Sequence, residues 1–397
     1  MNFSELKKCM DKFVSVYNVP GVDCIVYKNH KELFRYFTGK SNKENNITMH
    51  GNELYLIFSM TKMLTCTAVL QLMEKGKFNL DDKLSEFMPE FENMSVTSDE
   101  LNINNASKIT SGTSSGEMLN SVSSGCAKNP VTIKHLLTMT AGFDYNLDAD
   151  YIRSSVSEGK VSTGEIAASL SKTVLGFEPG TRFRYSLCYD ILGALVEIWS
   201  GKNLGEYMEE NIFKPLGMKN TFFGVSDERR KEYASRYIFT ENGTPKLLPL
   251  ECNFNFTPDY QSGGAGLTSS TEDYALFLDA LACGGTGKSG NRILKAETVK
   301  LMGTNHLSGQ PLEDFQQLRP GYGYGFGVRT HMNPEISGSE SPVGEFGWDG
   351  AAGAFSMVDT KNNISLTYFQ HVHAWKLSMQ NEMRNALYKS FLHSSER

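Results

Sequence analysis

The chain has 397 residues, 40% of them hydrophobic and 21% charged, with a formal net charge of −6. That composition belongs to an ordinary soluble globular protein, long enough for one large domain or for two that share a cleft. The acidic balance carries no basic stripe, which argues against nucleic acid as a partner, and no apolar run reaches the length of a membrane span.

The segment Met1–Cys9 lacks an uninterrupted apolar stretch, so the sequence predicts no secretory leader. Residues 3–17 read as a helix with Phe3, Leu6, Met10, Phe13 and Val14 on one side. Two β-rich runs follow, Val22–Tyr27 and Leu33–Phe37, and the link Lys28-Asn29-His30-Lys31 makes them a hairpin.

Next comes Leu54-Tyr55-Leu56-Ile57-Phe58, then Ser59-Met60-Thr61-Lys62, then an apolar-periodic segment carrying Leu64, Ala68, Leu72 and Met73 and stopped by Gly76. A serine and a lysine three apart at a helix start share one face, so an amine can relay the hydroxyl proton and make Ser59 a nucleophile. The helix dipole at that end disfavours an ammonium and favours a developing oxyanion. Two further copies of the spacing, Ser4–Lys7 and Ser157–Lys160, lie in polar surroundings with no burial pattern. On the motif alone, an N-cap serine beside a solvated lysine is an equally admissible reading.

Residues 95–130 are dominated by Ser, Thr, Asn and Gly, and the sequence predicts a solvated insertion loop there. Helices are expected over Val131–Thr140, Cys188–Ser200 (stopped by Gly201), Asn203–Ile212 and Tyr274–Ala282, the last opened by a capping box at Ser270-Thr271-Glu272-Asp273. Ala354–Asp359 and Ile364–Phe369 flank Thr360-Lys361-Asn362-Asn363 as a second hairpin, and a helix follows over 377–392. Strands at both ends with helices between predict an α/β (α+β) chain, in which both termini feed one antiparallel sheet flanked by helices.

The seven cysteines, at 9, 24, 66, 126, 188, 252 and 283, show no C-x-x-C or Cys/His ligand spacing. They read as reduced thiols in a cytoplasmic protein, with no metal and no cofactor expected. His371-Val372-His373 allows a metal site on one strand face, but two ordinary histidines at a strand end is the preferred reading.

A nucleophilic serine also needs a second proton-handling group and an oxyanion hole. Tyr185, in Pro179-Gly180-Thr181-Arg182-Phe183-Arg184-Tyr185-Ser186, lies on a loop at a helix start, where a phenol near Lys62 can act as general base. Glu345-Phe346-Gly347-Trp348-Asp349-Gly350-Ala351-Ala352-Gly353 offers small residues that let a substrate approach an edge strand and reach backbone amides. A packed aromatic and a glycine-rich turn are the bland alternatives for these two stretches.

The order Ser59-x-x-Lys62, Tyr185-Ser186-x, Trp348-x-Gly350 resembles the serine β-lactamase-related superfamily: class C β-lactamases, DD-carboxypeptidases, D-aminopeptidases and β-lactamase-like esterases. Leu136–Gly142, Pro215–Thr221 and Gly263–Ser270 match as well. The resemblance implies Ser59 as the acylated nucleophile, Lys62 sharing its proton, and Tyr185 as base. It also implies the Ser59 and Ala351 amides as oxyanion hole. It further implies a β-lactamase/transpeptidase-like fold, with residues 1–80 and 225–397 forming a helix–sheet–helix domain and 81–224 an inserted, mainly helical one.

Two departures bear on substrate. Leu187 stands where the family usually has Asn, so amide or β-lactam handling is weakened. Trp348 replaces the usual Lys or His that attracts a carboxylate, and suits an uncharged acyl group. Asp349, if cleft-facing, repels an anion further, and Gly350 completes the substrate-binding stretch. A serine hydrolase acting on small-molecule esters through an acyl-enzyme is therefore expected. The alternatives are a D-amino-acid peptidase, DD-carboxypeptidase or β-lactamase that borrows Arg182 or Arg184 as its cation, and a catalytically silent penicillin-binding-like protein. The oligomeric state is not legible.

Overall fold

The computed structural model describes residues 2–97, 124–251, 254 and 256–392. The insertion expected at 95–130 falls largely outside the described residues, as does Cys252; the flanks Ser95–Thr97 and Ser124–Cys126 pair antiparallel.

An eight-stranded antiparallel sheet joins the two ends of the chain. Helix α1 (Ser4–Ser15) leads into β1 (Gly21–Lys28), β2 (Lys31–Asn42) and β3 (Ile47–Thr48). Helices α2 (Thr61–Glu74), α3 (Cys188–Ser200) and α4 (Thr271–Ala282) precede β4 (Tyr322–Tyr324), β5 (Arg329–His331) and β6 (Phe346–Gly347). Strands β7 (Phe355–Asp359) and β8 (Ile364–Phe369) and helix α5 (Ser378–Leu392) complete the set. The spatial order is β4-β5-β6-β7-β8-β1-β2-β3, with β1 against β8 in the register Asp23↔Phe369. The α/β (α+β) reading with both termini in one flanked sheet holds.

Strand β1 is buried along almost its whole length because both of its faces are covered. Val22, Cys24 and Val26 face α1 and α5 through Leu6, Met10, Phe13, Met383 and Leu387. The alternate residues Ile25 and Tyr27 meet Ala275 of α4 on the other side. Asp23, fully buried among them, pairs with Arg35 and accepts Thr271 Oγ1 at 2.8 Å, so the charge is not left alone in the core.

Most expected elements appear with shifted ends, and several differences have a plain cause. The helix at 131–140 shortens to Ile133–Leu137, because Met139 takes a left-handed φ of 58°. The helix at 203–212 becomes Leu204–Met208 followed by a π turn over Glu209–Phe213. The capping box at α4 is half formed: Ser270 Oγ accepts the Asp273 amide, while the Asp273 carboxylate turns to Asn220 N and Thr221 Oγ1. The Phe346–Gly347 segment, expected at a sheet edge, lies between β5 and β7. The short β4 and β5 carry that edge outward, and at three residues each they gave no strand signal.

His371 and His373 are ordinary packed histidines. His371 Nδ1 lies 2.8 Å from Ala234 O, its ring stands edge-on to Tyr55, and burial lowers its pKa to about 3 from an ordinary 6.5. The folded protein therefore holds this ring neutral, while the unfolded chain takes up a proton as pH falls through 6.5. Stability from this group is complete above that value and is lost progressively toward pH 3, at about 1.4 kcal/mol per unit. His371→Asn is expected to make the decline of urea-unfolding free energy between pH 6.5 and 4 shallower by about that slope. An unchanged slope in the variant rules the ring out as an acid-sensitive group.

Candidate active site

The loop that carries Ser59 is fixed from both sides. Leu54–Leu56 pairs with Leu267–Ser270, Ile57 N donates to Leu267 O at 3.0 Å, and Thr61 Oγ1 accepts the Leu267 amide at 3.2 Å. Phe58, immediately before the serine, has a φ of 46°, a left-handed conformation that a bulky residue adopts only under constraint. That constraint is packing: Phe58 is 4% exposed among Leu54, Leu56, Tyr233 and Ala352. Ser59 then sits half-buried in a single 3₁₀ turn, Phe58–Met60, that feeds directly into α2.

Helix α2 is buried on every side from Thr61 to Leu72, so Lys62 points into the protein rather than into solvent. Its Nζ donates to Gly264 O at 2.7 Å and lies 3.4 Å from both Ser59 Oγ and Tyr145 Oη. The same nitrogen stands 4.7 Å from the centre of the Tyr185 ring. Tyr185 stacks between Tyr145, at 5.4 Å, and Trp348, at 5.6 Å, and its hydroxyl accepts Trp348 Nε1–H at 3.2 Å. The Ser59–Lys62 pair, the Tyr185 phenol and the Trp348 indole, from three distant parts of the chain, thus form one contiguous group. The Tyr185 phenol meets the lysine through its ring face, and the phenol oxygen within hydrogen-bond reach of the amine belongs to Tyr145.

Glycines allow this approach at two points. A Cβ on Gly264 would stand 2.6 Å from Asp190 Oδ2 and 3.4 Å from Lys62 Nζ, so only glycine lets this carbonyl reach the amine. A Cβ on Gly350 would stand 2.6 Å from Ile57 O, so the turn after Trp348 is drawn against the serine loop. The small residues at 350–353 are accounted for by this chain-to-chain packing, not only by room for a substrate. Ala351, at the outer side of the same turn, is exposed.

Asp190, in the first turn of α3, supplies a buried negative charge close to Lys62. Tyr260 Oη and Ser262 Oγ each donate to its Oδ1 at 2.6 Å, while Oδ2 has no partner among the described residues. Burial, and after it the Asp190 charge, holds the Tyr260 phenol well above its ordinary range, so it remains a donor to the carboxylate. Burial likewise pushes the nearby Cys188 thiol up to about 12. Asp190, Tyr145 and the Gly264 carbonyl were not singled out from sequence.

The remaining expectations resolve as follows. Leu187 is 2% exposed and packs in the core, with its amide donating to Asp144 O at 3.0 Å. Asp349 is not a free charge repelling anions, because Arg319 Nη2 lies 2.8 Å from its Oδ2. Arg182 is held in a two-point pair by Asp314, at 2.7 and 2.9 Å, which also accepts the Phe183 amide. Trp348 is 6% exposed.

With this geometry in place, the comparisons with known proteins fall into line. The Beta-lactamase family matches residues 6–386, and the chain belongs to that family. It is 25% identical over 390 residues to the esterase EstB of Burkholderia gladioli, covering 91% of this chain and 88% of that one. It is 28% identical over 331 residues to the acyltransferase calJ of Penicillium decumbens, covering 78% and 73% of the two chains. Among solved structures, EstCE1, a hydrolase with promiscuous acyltransferase activity, superposes with a TM-score of 0.78 at 23% identity, covering 97% of each chain. No helix among the described residues is long and apolar enough to cross a membrane.

Proposed function

We propose that this protein is a serine hydrolase that cleaves small carboxylic esters through an acyl-Ser59 intermediate. The observation that carries the reading is the Lys62 amine, buried within 3.4 Å of Ser59 Oγ and faced by the Tyr185 phenol. In this reading the Ser59 proton passes to the Lys62–Tyr185 pair as Oγ bonds to the ester carbonyl carbon. The Ser59 and Ala351 amides hold the oxyanion, each donor contributing about 3 kcal/mol of barrier lowering. Collapse breaks the ester C–O bond, the alkoxide leaves with the stored proton, and water then releases the acid by the same steps in reverse.

Ester is favoured over amide or β-lactam by the wall opposite the amine. Trp348 stands where a carboxylate-binding cation would be needed, Arg319 is committed to Asp349, and Arg182 to Asp314. An uncharged acyl group needs no such cation, and the aromatic stack of Tyr145, Tyr185 and Trp348 offers it an apolar neighbour. The relatives called esterase and acyltransferase support the same acyl-transfer chemistry. The cleft would run between a sheet domain of residues 1–80 and 225–397 and a helical domain of 81–224. Free thiols at Cys9, Cys24, Cys66, Cys126, Cys188 and Cys283 support a reducing, cytoplasmic setting.

The test is labelling by a fluorophosphonate, followed by turnover of p-nitrophenyl esters, nitrocefin and D-alanine p-nitroanilide. One label per chain, lost in Ser59→Ala, with esters turned over fastest, is the expected result. No labelling marks a silent binding protein, and nitrocefin outrunning every ester reverses the substrate assignment.

A further inference from the structure

Away from Ser59, on the face of the sheet covered by α4, three residues with different donor atoms converge. His30 Nδ1 lies 2.7 Å from Asp279 Oδ2, and the His30 amide donates to Asp279 Oδ1 at 3.1 Å. Cys283 Sγ reaches the same carboxylate at 3.8 Å, and one donor atom from each residue lies within 4.8 Å of the other two. The carboxylate is fully buried, whereas the imidazole is 35% exposed and Cys283 is half-buried. One side of the cluster is thus anchored in the protein and the other is open to solvent.

A second observation concerns the turn itself. Asn29 and His30 have φ values of 50° and 64°, so the β1–β2 hairpin closes with two successive left-handed residues. Asn suits the first of these positions, and glycine is the residue favoured at the second. Histidine there costs about 1 kcal/mol relative to glycine. A strained histidine held against a buried carboxylate and a thiol calls for a compensating role.

We propose that His30, Asp279 and Cys283 bind one zinc ion, which ties the β1–β2 turn to the C-terminal end of α4, with water as the fourth ligand. Nitrogen, carboxylate oxygen and thiolate are the donors that zinc takes at about 2.0–2.3 Å in a tetrahedral shell, and three protein ligands with an open fourth position are a known arrangement. The ion enters in place of the His30–Asp279 side-chain hydrogen bond. The imidazole then keeps its proton on Nε2 and turns the Nδ1 lone pair to the metal, while Asp279 Oδ1 keeps the His30 amide. The Cys283 proton leaves to solvent. Sequence spacing conceals the set, because His30 and Asp279 are 249 positions apart.

Cobalt(II), added to protein first stripped with a chelator, reports thiolate ligation through a near-ultraviolet charge-transfer band. One equivalent is expected to produce that band in the parent protein, in Ser59→Ala and in Cys126→Ser, which removes an exposed thiol elsewhere. Cys283→Ser and His30→Gly are expected to lose it. His30→Gly also relieves the left-handed strain, so that variant remains folded while lacking the ligand. Zinc is expected to raise Tm by several degrees in the parent protein and not in these two variants. Absence of the band in the parent protein, or its persistence in Cys283→Ser, overturns the proposal.

Discussion

Replacing Lys62 by alanine is expected to slow acylation of Ser59 by about 10⁴-fold, equivalent to about 5.5 kcal/mol of barrier, with KM changed far less than kcat. The size follows from position. Nζ is the amine closest to Ser59 Oγ, and the side chain is fully buried, so bulk water cannot readily substitute as proton acceptor. Truncation also strips a donor from Gly264 O and leaves the unpartnered Asp190 Oδ2 without the amine nearby. Some of the loss can therefore come from a disturbed site rather than from lost proton transfer. Lys62→Met separates the two, because methionine fills nearly the same volume without an amine. Equal losses in the alanine and methionine variants, read by burst kinetics on a p-nitrophenyl ester, assign the effect to the amine. Retention of activity within tenfold by either variant ends the assignment of Lys62 as a proton carrier.

What could be read in advance, and what could not, divides by the range of the interaction. Ser59 and Lys62 are one helical turn apart, so their shared face follows from spacing, and the apolar run behind them announced a buried helix. The Cys188–Ser200 helix was legible to the residue because Gly201 takes the left-handed stop, with a φ of 72°. Tyr145 and Gly264 reach Lys62 across 83 and 202 positions, and no local pattern marks either of them. Tyr145 lies in a polar loop between Asp144 and Asn146, where an aromatic residue reads as incidental. Asp349 looked like an uncompensated charge because its partner, Arg319, belongs to a different element 30 positions earlier. Strands β4 and β5 escaped for the opposite reason: they are three residues long each, so they carry no alternation to detect.

The presence of two phenols beside one amine makes Tyr185→Phe the sharpest test of mechanism. Removing this hydroxyl is expected to reduce acylation by about 10³-fold, the scale of losing a positioned general base, whereas Tyr145→Phe is expected to cost about tenfold. Both substitutions leave the rings in place, so the stack of Tyr145, Tyr185 and Trp348 and the lysine over the Tyr185 face survive. The difference between the variants then reads the oxygens alone. Tyr145 Oη is the closer to Lys62, at 3.4 Å, which by distance alone would make it the base. Tyr185 is favoured because its oxygen accepts the Trp348 indole N–H at 3.2 Å, which fixes the orientation of the phenol within the site. If Tyr145→Phe proves the more damaging variant, the lysine works through the nearer phenol, and Tyr185 serves to seat the acyl group.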